Sequence, residues 1–213
     1  VQTSIKLSDI LPASILSAYP GLAIYTENTY GQKGLGVANG KFPIVVFSHG
    51  FGGFPTQSAS LTAHLASWGF VVAAPDHTDR DLSAVALKAL TGQLNEANQI
   101  NQSHDVTDLQ NTIALLEKDN TDSSSIFYRH LDTSRIGALG HSAGAAAVEK
   151  LAVVDTRVRV WIGMGGASYG SFGQTTTGPG SKVPAQAGML MYAEKDGLVP
   201  ASSMKNAYNA LTG

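Results

Sequence analysis

Two kinds of apolar pattern alternate along this chain, and together they predict its secondary structure. Short uninterrupted apolar runs predict strands covered on both faces, whereas longer segments with an apolar residue every three or four positions predict amphipathic helices. The predicted strands are residues 22–26, 43–48, 69–74, 135–139, 158–164 and 189–193. The predicted helices are residues 58–68, 81–94, 105–118, 143–153 and 201–211. Because strands alternate with helices, the pattern predicts an α/β fold with a mostly parallel central sheet and helices on both faces.

Two of the predicted helices carry apolar stripes, and two segments rich in small residues separate predicted elements. The stripes consist of Leu61, Leu65 and Trp68 in the first helix and of Val106, Leu109, Ile113 and Leu116 in the third. Residues 31–40 hold four glycines, and residues 168–181 are rich in Gly, Thr and Ser, so both segments are predicted to be loops. No repeat and no linker divides the chain, and we interpret residues 1–213 as one domain.

The composition narrows the class of protein. Hydrophobic residues make up 43% of the 213 residues and charged residues 14%, which indicates a globular chain rather than a disordered one. The net charge of −2 gives no electrostatic case for binding nucleic acid or an anionic membrane. Cysteine is absent, which excludes disulfides, thiolate metal sites and a cysteine nucleophile. No apolar stretch approaches the ~20 residues of a membrane span.

The chain offers only indirect signs of its compartment. It starts at Val1, which fits a removed signal peptide or a trimmed sequence. The low charge and the many Gly, Ser, Thr and Asn residues favour a secreted or periplasmic protein, and they do not exclude the cytoplasm.

The most specific chemical signal is Gly140-His141-Ser142-Ala143-Gly144, which lies between a predicted strand and a predicted helix. In that context the G-x-S-x-G pattern is typical of a nucleophile elbow, a sharp turn that exposes a serine hydroxyl. The two glycines allow the strand and the helix to pack closely, so that the serine can adopt a strained backbone conformation. Ser142 is therefore the predicted nucleophile.

Two further segments deliver polar groups to the same edge of the predicted sheet, beyond the carboxyl ends of its strands. The segment S-H-G-F-G-G at 48–53 follows a buried strand and resembles the glycine-rich oxyanion loop of hydrolases. Asp196 follows the last predicted strand and is the predicted acid that orients the base, with Glu194 as the alternative acid and Asp76 interpreted as a cap of the next turn or helix.

Acyl transfer also needs two N–H groups where negative charge develops on the substrate oxygen. The backbone N–H groups of Phe51 and Ala143 are the predicted donors. The side chains of Phe51, His141 and Met164 are predicted to line the substrate pocket. No metal site is predicted, because the chain has no H-x-x-x-H spacing and no cysteine.

These segments together resemble the α/β-hydrolase superfamily. More narrowly, they resemble the dienelactone-hydrolase-like esterases, the bacterial cutinases or polyester hydrolases, and the platelet-activating-factor acetylhydrolases. The resemblance runs from about Pro43 to Pro200 and rests on S-H-G-F-G-G, S-W-G-F, the strand leading to P-D-H, G-H-S-A-G and E-K-D-G. It implies an esterase that works through an acyl-enzyme without a cofactor.

The chain departs from two of these groups. Serine stands in the elbow where dienelactone hydrolases have cysteine, which argues against their lactone chemistry. The segment G-M-G-G-A-S at 163–168 lacks the aromatic ring that polyester hydrolases of this type share, which argues against a flat aromatic-polymer platform.

The expected catalytic histidine has no counterpart here. In this fold the order along the chain is serine, acid, histidine, yet every histidine precedes Ser142. The six are His49, His64, His77, His104, His130 and His141. We expect that a C-terminal segment of roughly 40–70 residues has been cleaved, is carried by a second polypeptide or is missing from this sequence. Of the six, His77 is the best-placed substitute, whereas His49 and His141 are interpreted as structural.

The sequence thus predicts a serine carboxylic-ester hydrolase. Its expected substrates are small-molecule or polymeric esters with short to medium acyl chains, including polyesters and lipid-like esters. A phospholipid acetylhydrolase or an amidase is the alternative within enzymes. A binding module on a hydrolase scaffold that lacks the base is the alternative from another class.

Overall fold

The computed structural model of the chain describes residues 2–94, 104–167 and 183–212. The strands are β1 (Gln2–Lys6), β2 (Thr26–Gln32), β3 (Phe42–Ser48), β4 (Val71–Ala73), β5 (Leu131–His141), β6 (Val158–Met164) and β7 (Ala187–Met191). The α-helices are α1 (Ala13–Ala18), α2 (Ala59–Ser67), α3 (Leu82–Leu90), α4 (Asp105–Thr121), α5 (Ala143–Val154) and α6 (Ala201–Thr212). Two 3-10 helices, Leu7–Asp9 and Pro20–Ile24, lie near the start of the chain.

A five-stranded parallel sheet forms the centre of the fold, which confirms the predicted α/β class. Its strand order is β4-β3-β5-β6-β7, and each neighbouring pair is parallel. The chain moves from β3 outward to β4 and then returns to β5 on the other side of β3, so the order reverses between β3 and β5. Ligands bind beyond the carboxyl ends of the strands at such a reversal. In this chain that position lies between Ser48 and His141, the last residues of β3 and β5.

The main core lies between this sheet and the helices α4 and α5. Leu109, Ile113 and Leu116 of α4 are buried, with Val106 packed against them, which confirms the predicted stripe of the third helix. The helix α5 packs through small and aliphatic residues, and the sheet contributes branched residues and one Trp. The members are Ala147, Val148, Leu151 and Ala152 from α5, and Ile44, Val46, Leu131, Ile136, Ala138, Val158 and Trp161 from the sheet. This packing fixes the carboxyl ends of β3 and β5 relative to each other.

The predicted strand at residues 22–26 is wrong. The chain forms a 3-10 helix over Pro20–Ile24, because Pro20 has a fixed φ and no N–H and therefore suits the first position of a helical turn. The strand β2 begins only at Thr26 and extends to Gln32, so it includes the first two residues of the predicted loop at 31–40. It pairs antiparallel with β1. These two strands form a hairpin-like sheet of their own, apart from the central one.

The first predicted apolar stripe is only partly correct. Leu61 and Leu65 are half-buried, but Trp68 is 74% exposed. Trp68 follows the last residue of α2 and donates its N–H back to the carbonyl of Leu65, so it no longer continues the face of the helix. Its ring lies edge-on to that of His64.

Several predicted boundaries shift in the structure. The helix α3 ends at Leu90 rather than at residue 94, because Gly92 has a φ of 66° that terminates the helix. Asp81 caps its start, with the carboxylate accepting the N–H of Ala84 at 2.6 Å. The strand β7 lies two residues earlier than predicted. The predicted loop at 168–181 lies outside the described residues, and within the described ones no helix is long and apolar enough to cross a bilayer.

Candidate active site

Ser142 lies at the sharp turn between β5 and α5. Its φ of 53° and ψ of −117° are in a region that residues other than glycine rarely adopt. The flanking glycines make this turn sterically possible. A Cβ on Gly140 would collide with the carbonyl of Gly144, and a Cβ on Gly144 would collide with the carbonyl of Ser48. The backbone of the turn therefore has the geometry of a nucleophile elbow.

The loop after β6 holds this turn from the other side. The N–H of Ser142 donates to the carbonyl of Met164 at 2.8 Å, and the N–H of Gly165 donates to the carbonyl of Met191 at 2.8 Å. Gly166 packs so closely that a Cβ there would collide with the carbonyl of Ser142. Met164, predicted to line the pocket, thus contacts the turn through its backbone, and its side chain is half-buried.

The loop after β3 approaches Ser142 from the neighbouring strand. A Cβ on Gly50 would lie 3.4 Å from the Cβ of Ser142. Within the loop, the N–H of Gly52 donates to the carbonyl of Arg80 at 2.8 Å, and the N–H of Gly53 donates to the carbonyl of Gly50 at 3.0 Å. Among the described residues nothing accepts a hydrogen bond from the N–H of Phe51. This N–H is therefore available beside the turn.

Ala143 is the first residue of α5, so its N–H is one of those that a helix leaves unpaired at its start. The positive end of the helix dipole lies at the same place and favours negative charge there. The structure thus brings both predicted donor residues, Phe51 and Ala143, to the neighbourhood of Ser142.

Gln57 joins the two segments, and sequence patterns gave no signal for it. Its Oε1 accepts the N–H of Gly50 at 2.8 Å, and its Nε2 donates to Nδ1 of His141 at 3.0 Å. His141 therefore carries its proton on Nε2. Burial lowers the pKa of His141, partly offset by the charge of Asp196. His141, interpreted from the sequence as structural and as a pocket residue, faces the loop after β3.

Asp196 lies in the turn after β7 and is partly exposed to solvent. Its Oδ1 accepts the N–H groups of Leu198 at 2.8 Å and Val199 at 3.0 Å. These backbone hydrogen bonds lower its pKa, first that of Val199 and then that of Leu198. Its Oδ2 lies near the loop after β6 and near the ring of His141, since a Cβ on Gly165 would lie 3.9 Å from both this oxygen and Nε2 of His141. Asp196 is thus an ionised carboxylate on the same side of the sheet as Ser142.

Comparison with known proteins gives a partial match. The sequence model of the family described as platelet-activating factor acetylhydrolase, isoform II, matches residues 26–126. Over 44 residues, or 21% of the chain, the sequence is 50% identical to the platelet-activating factor acetylhydrolase of Canis lupus familiaris, 48% to that of Gallus gallus and 46% to that of Bos taurus. The aligned stretch is 10% of each relative, so the chain spans about a tenth of the length of the curated relatives it matches.

The chain is thus similar to platelet-activating factor acetylhydrolases over residues 26–126, just under half of its length. The matched range contains the loop after β3 and its supports. It ends before the turn at Ser142 and before Asp196. The interpretation of those two residues therefore depends on the fold and on their local geometry, not on the match.

The six histidines of the chain all lie in described residues, and no hydrogen bond joins any of their rings to Ser142 there. Four have other ring contacts: His49 with the carbonyl of Gly50, His64 with the ring of Trp68, His104 with Asp79, and His130 with the carbonyl of Gly40. His141 is bonded to Gln57. His77, the best-placed substitute by sequence, is engaged at both ring nitrogens.

His77 belongs to a buried polar network behind the loop after β3. Its Nδ1 donates to Asp108 at 2.9 Å, and its Nε2 accepts the hydroxyl of Ser48 at 2.9 Å. Burial, and then the nearby charge of Arg80, lowers the pKa of His77 to about 4. His77 is therefore a neutral structural residue.

The same network contains His77, Asp105 and Asp108, whose ligand-type atoms lie within 4.8 Å of one another. Hydrogen bonds account for them, since Asp105 accepts Nε of Arg80 at 2.8 Å and Asp108 accepts His77. The guanidinium also places a positive charge beside the group, which opposes a metal cation. Asp76, expected to cap a turn or helix, instead lies half-exposed with Oδ1 3.6 Å from Nε2 of His49.

Proposed function

We propose that this chain carries the nucleophile of a serine carboxylic-ester hydrolase. The observation that supports this most directly is the positive φ of Ser142 in a turn next to the loop after β3. The turn is flanked by Gly140 and Gly144, where any side chain would collide with backbone. Strain of this kind is retained where a turn must expose a nucleophile. The family relationship supports a lipid or ester hydrolase.

In the proposed reaction the hydroxyl oxygen of Ser142 attacks the ester carbonyl while a general base takes its proton. The oxyanion that forms accepts hydrogen bonds from the N–H groups of Phe51 and Ala143. Collapse of this intermediate releases the alcohol, which receives the proton from the base, and leaves the acyl group on Ser142. Water, activated by the same base, then hydrolyses the acyl-enzyme. Each N–H donor is worth roughly 3 kcal/mol to the transition state.

The base in this proposal is a histidine other than the six in this sequence, with Asp196 as the acid that orients it. Each of the six has the engagement described above. Both hydrogen bonds within the turn of Asp196 end on Oδ1. Its Oδ2 is therefore available to accept an N–H from an imidazole. β7 has a single strand partner among the described residues, and Met189 and Met191 on it are each 49% exposed. A further segment, from this protein or from a second polypeptide, can pair there beside Asp196.

The proposed substrates are esters with short to medium acyl groups. Phospholipids with a short acyl chain are the favoured subset, because the matched relatives are platelet-activating factor acetylhydrolases. Polyesters are retained as a second class. Secretion stays a prediction from composition.

A fluorophosphonate reagent tests this proposal directly, because it labels an activated serine and mass spectrometry locates the labelled residue. We expect labelling of Ser142 in the full-length protein and none in Ser142→Ala. Nitrophenyl acetate and butyrate should be hydrolysed by the wild type, with kcat reduced at least about 10³-fold in Ser142→Ala. Ser67→Ala is the matched control, since Ser67 is an exposed serine at the end of α2 and its replacement should leave the labelling of Ser142 and the hydrolysis unchanged.

An unlabelled wild-type protein that hydrolyses no ester would overturn the proposal. It would favour the second candidate, a binding module on a hydrolase scaffold. The observation behind that candidate is the engagement of all six histidines away from Ser142. Retained binding of a short-chain ester analogue without turnover would then identify it.

A further inference from the structure

The guanidinium of Arg80 lies in the interior behind the loop after β3. Arg80 is 1% exposed, the largest of the fully buried side chains among the described residues. A buried charge is costly unless partners surround it. Arg80 meets this condition: its Nε donates to Asp105 at 2.8 Å, its Nη2 donates to the hydroxyl of Ser48 at 3.1 Å, and its Nη1 donates to backbone carbonyls.

Those carbonyls belong to His49 and Gly50, the two residues immediately before Phe51. The backbone of Arg80 holds the other side, because its carbonyl accepts the N–H of Gly52. One residue therefore fixes the chain both before and after Phe51. If Arg80 served only to form a stabilising ion pair, its contact with Asp105 would be sufficient, and the contacts with the loop would not be needed.

The carbonyl of Gly50 is the decisive contact. It accepts Nη1 of Arg80 at 2.9 Å, Nδ1 of His49 at 2.8 Å and the N–H of Gly53 at 3.0 Å. His49 can donate from Nδ1 because its Nε2 accepts the N–H of His77 at 3.2 Å. Three donors on a single carbonyl fix the orientation of its peptide plane.

That peptide also contains the N–H of Phe51. The chain has no cis peptide bond among its described residues, so the Gly50 carbonyl and the Phe51 N–H point in opposite directions across one rigid plane. Donors that hold the oxygen from behind therefore aim the N–H forward, out of the network. Hydrogen bonds to the carbonyl also polarise the peptide and make its N–H a stronger donor.

We propose that Arg80 is a positioning residue, which orients and polarises the Gly50–Phe51 peptide so that the Phe51 N–H serves as an oxyanion donor. This inference rests on the proposed esterase function. Arg80 contacts no reacting atom, and its effect passes through one peptide unit. It should therefore change the stabilisation of the transition state and leave ground-state binding of the ester nearly unchanged.

The test is Arg80→Lys in the full-length protein, measured with a nitrophenyl ester and with a trifluoromethyl ketone of the same acyl chain. The ketone forms a tetrahedral adduct with the serine and places an oxyanion at the donors. A lysine keeps the charge but cannot donate to Asp105, Ser48 and two carbonyls at once. We expect kcat to fall about 10- to 100-fold with KM within about threefold, and the ketone to bind at least about tenfold more weakly.

Arg157→Lys is the matched control. Arg157 also pairs with two carboxylates, those of Asp155 and Glu117, but it lies away from the loop after β3. Its kcat should stay within about twofold of the wild type. A folded Arg80→Lys whose kcat and ketone affinity both stay within threefold of the wild type would overturn the inference.

Asp105→Asn covers the case in which Arg80→Lys does not fold. It leaves the guanidinium in place but replaces the carboxylate that holds Nε with a neutral amide. We expect kcat and ketone affinity to fall together, about three- to tenfold, and unchanged values in a folded variant would again overturn the inference. Fluorophosphonate labelling of the wild type separates the two claims. An unlabelled wild type means that the proposed function has failed, whereas a labelled wild type with an unaffected Arg80 variant means that only the role of Arg80 has failed.

Discussion

Close packing against backbone atoms constrains the residues around Ser142 more than hydrogen bonds do. Gly144, at the start of α5, faces the carbonyls of Ser48 and His49 so closely that even a methyl group would collide with backbone. Backbone cannot yield as a flexible side chain can, so the helix and β3 would have to move apart. Because β3 leads into the loop of Phe51, this movement would carry the Phe51 N–H away from Ser142.

Gly144→Ala should therefore lower both stability and activity. We expect a loss of about 1–3 kcal/mol in the free energy of unfolding by urea, as for other overpacked sites, and a kcat at least about tenfold lower. Gly36→Ala is the control, since a Cβ on Gly36 meets nothing within 4 Å. Near-normal kcat in Gly144→Ala would show that the close approach to β3 is not needed for activity.

Within single elements, apolar periodicity predicts most of what forms, and local backbone chemistry decides where it stops. The buried side of α4 and the strands β3 and β6 follow directly from their apolar patterns. The end of α3 is set by Gly92, and the 3-10 helix at Pro20–Ile24 replaces a predicted strand. The loop and elbow motifs were recognisable, but Gln57 and Arg80 were not. Their contacts join residues 84 and about 30 positions apart, which no local pattern encodes.

The helix α4 offers a direct test of how much its buried face contributes. Ile113 is fully buried in the main core, whereas Leu115 on the same helix is 56% exposed. Ile113→Ala should cost about 2–5 kcal/mol of unfolding free energy, and Leu115→Ala less than about 0.5 kcal/mol. Thermal unfolding followed by circular dichroism compares the two. Equal losses would contradict the assignment of the core face.

At the scale of the whole molecule, the reversal of strand order between β3 and β5 places two different demands on one region. In front, the carboxyl ends of these strands carry Ser142 and the loop of Phe51, the proposed catalytic groups. Behind, the same loop rests on the buried network of His49, His77 and Arg80. The site and the network are joined through the backbone, so conditions that disrupt the network should affect stability and activity together.

Acid is such a condition. Burial lowers the pKa of His49 and of His77 to about 4, assisted by the charge of Arg80, whereas both titrate near 6.5 in the unfolded chain. Between pH 6.5 and about 4 the unfolded chain binds more protons than the folded one, so the free energy of unfolding must fall as the pH falls through this window. The steepest slope is about 2.7 kcal/mol per pH unit for two such groups.

Three carboxylates also face this network, and two of them act in the opposite direction. Burial raises the pKa of Asp76 and of Asp108, so these groups gain protons in the folded state first and offset part of the loss at the acid end. Asp105 is paired with Arg80. Urea unfolding at pH 7, 6 and 5 measures the net effect, which the histidines dominate at the upper end of the window. His49→Asn keeps an N–H donor for the carbonyl of Gly50 but does not titrate, so its pH dependence should be shallower than that of the wild type. A wild-type stability that stays level or rises from pH 7 to pH 5 would mean that the two rings are not held neutral, and that the support behind Phe51 is built differently.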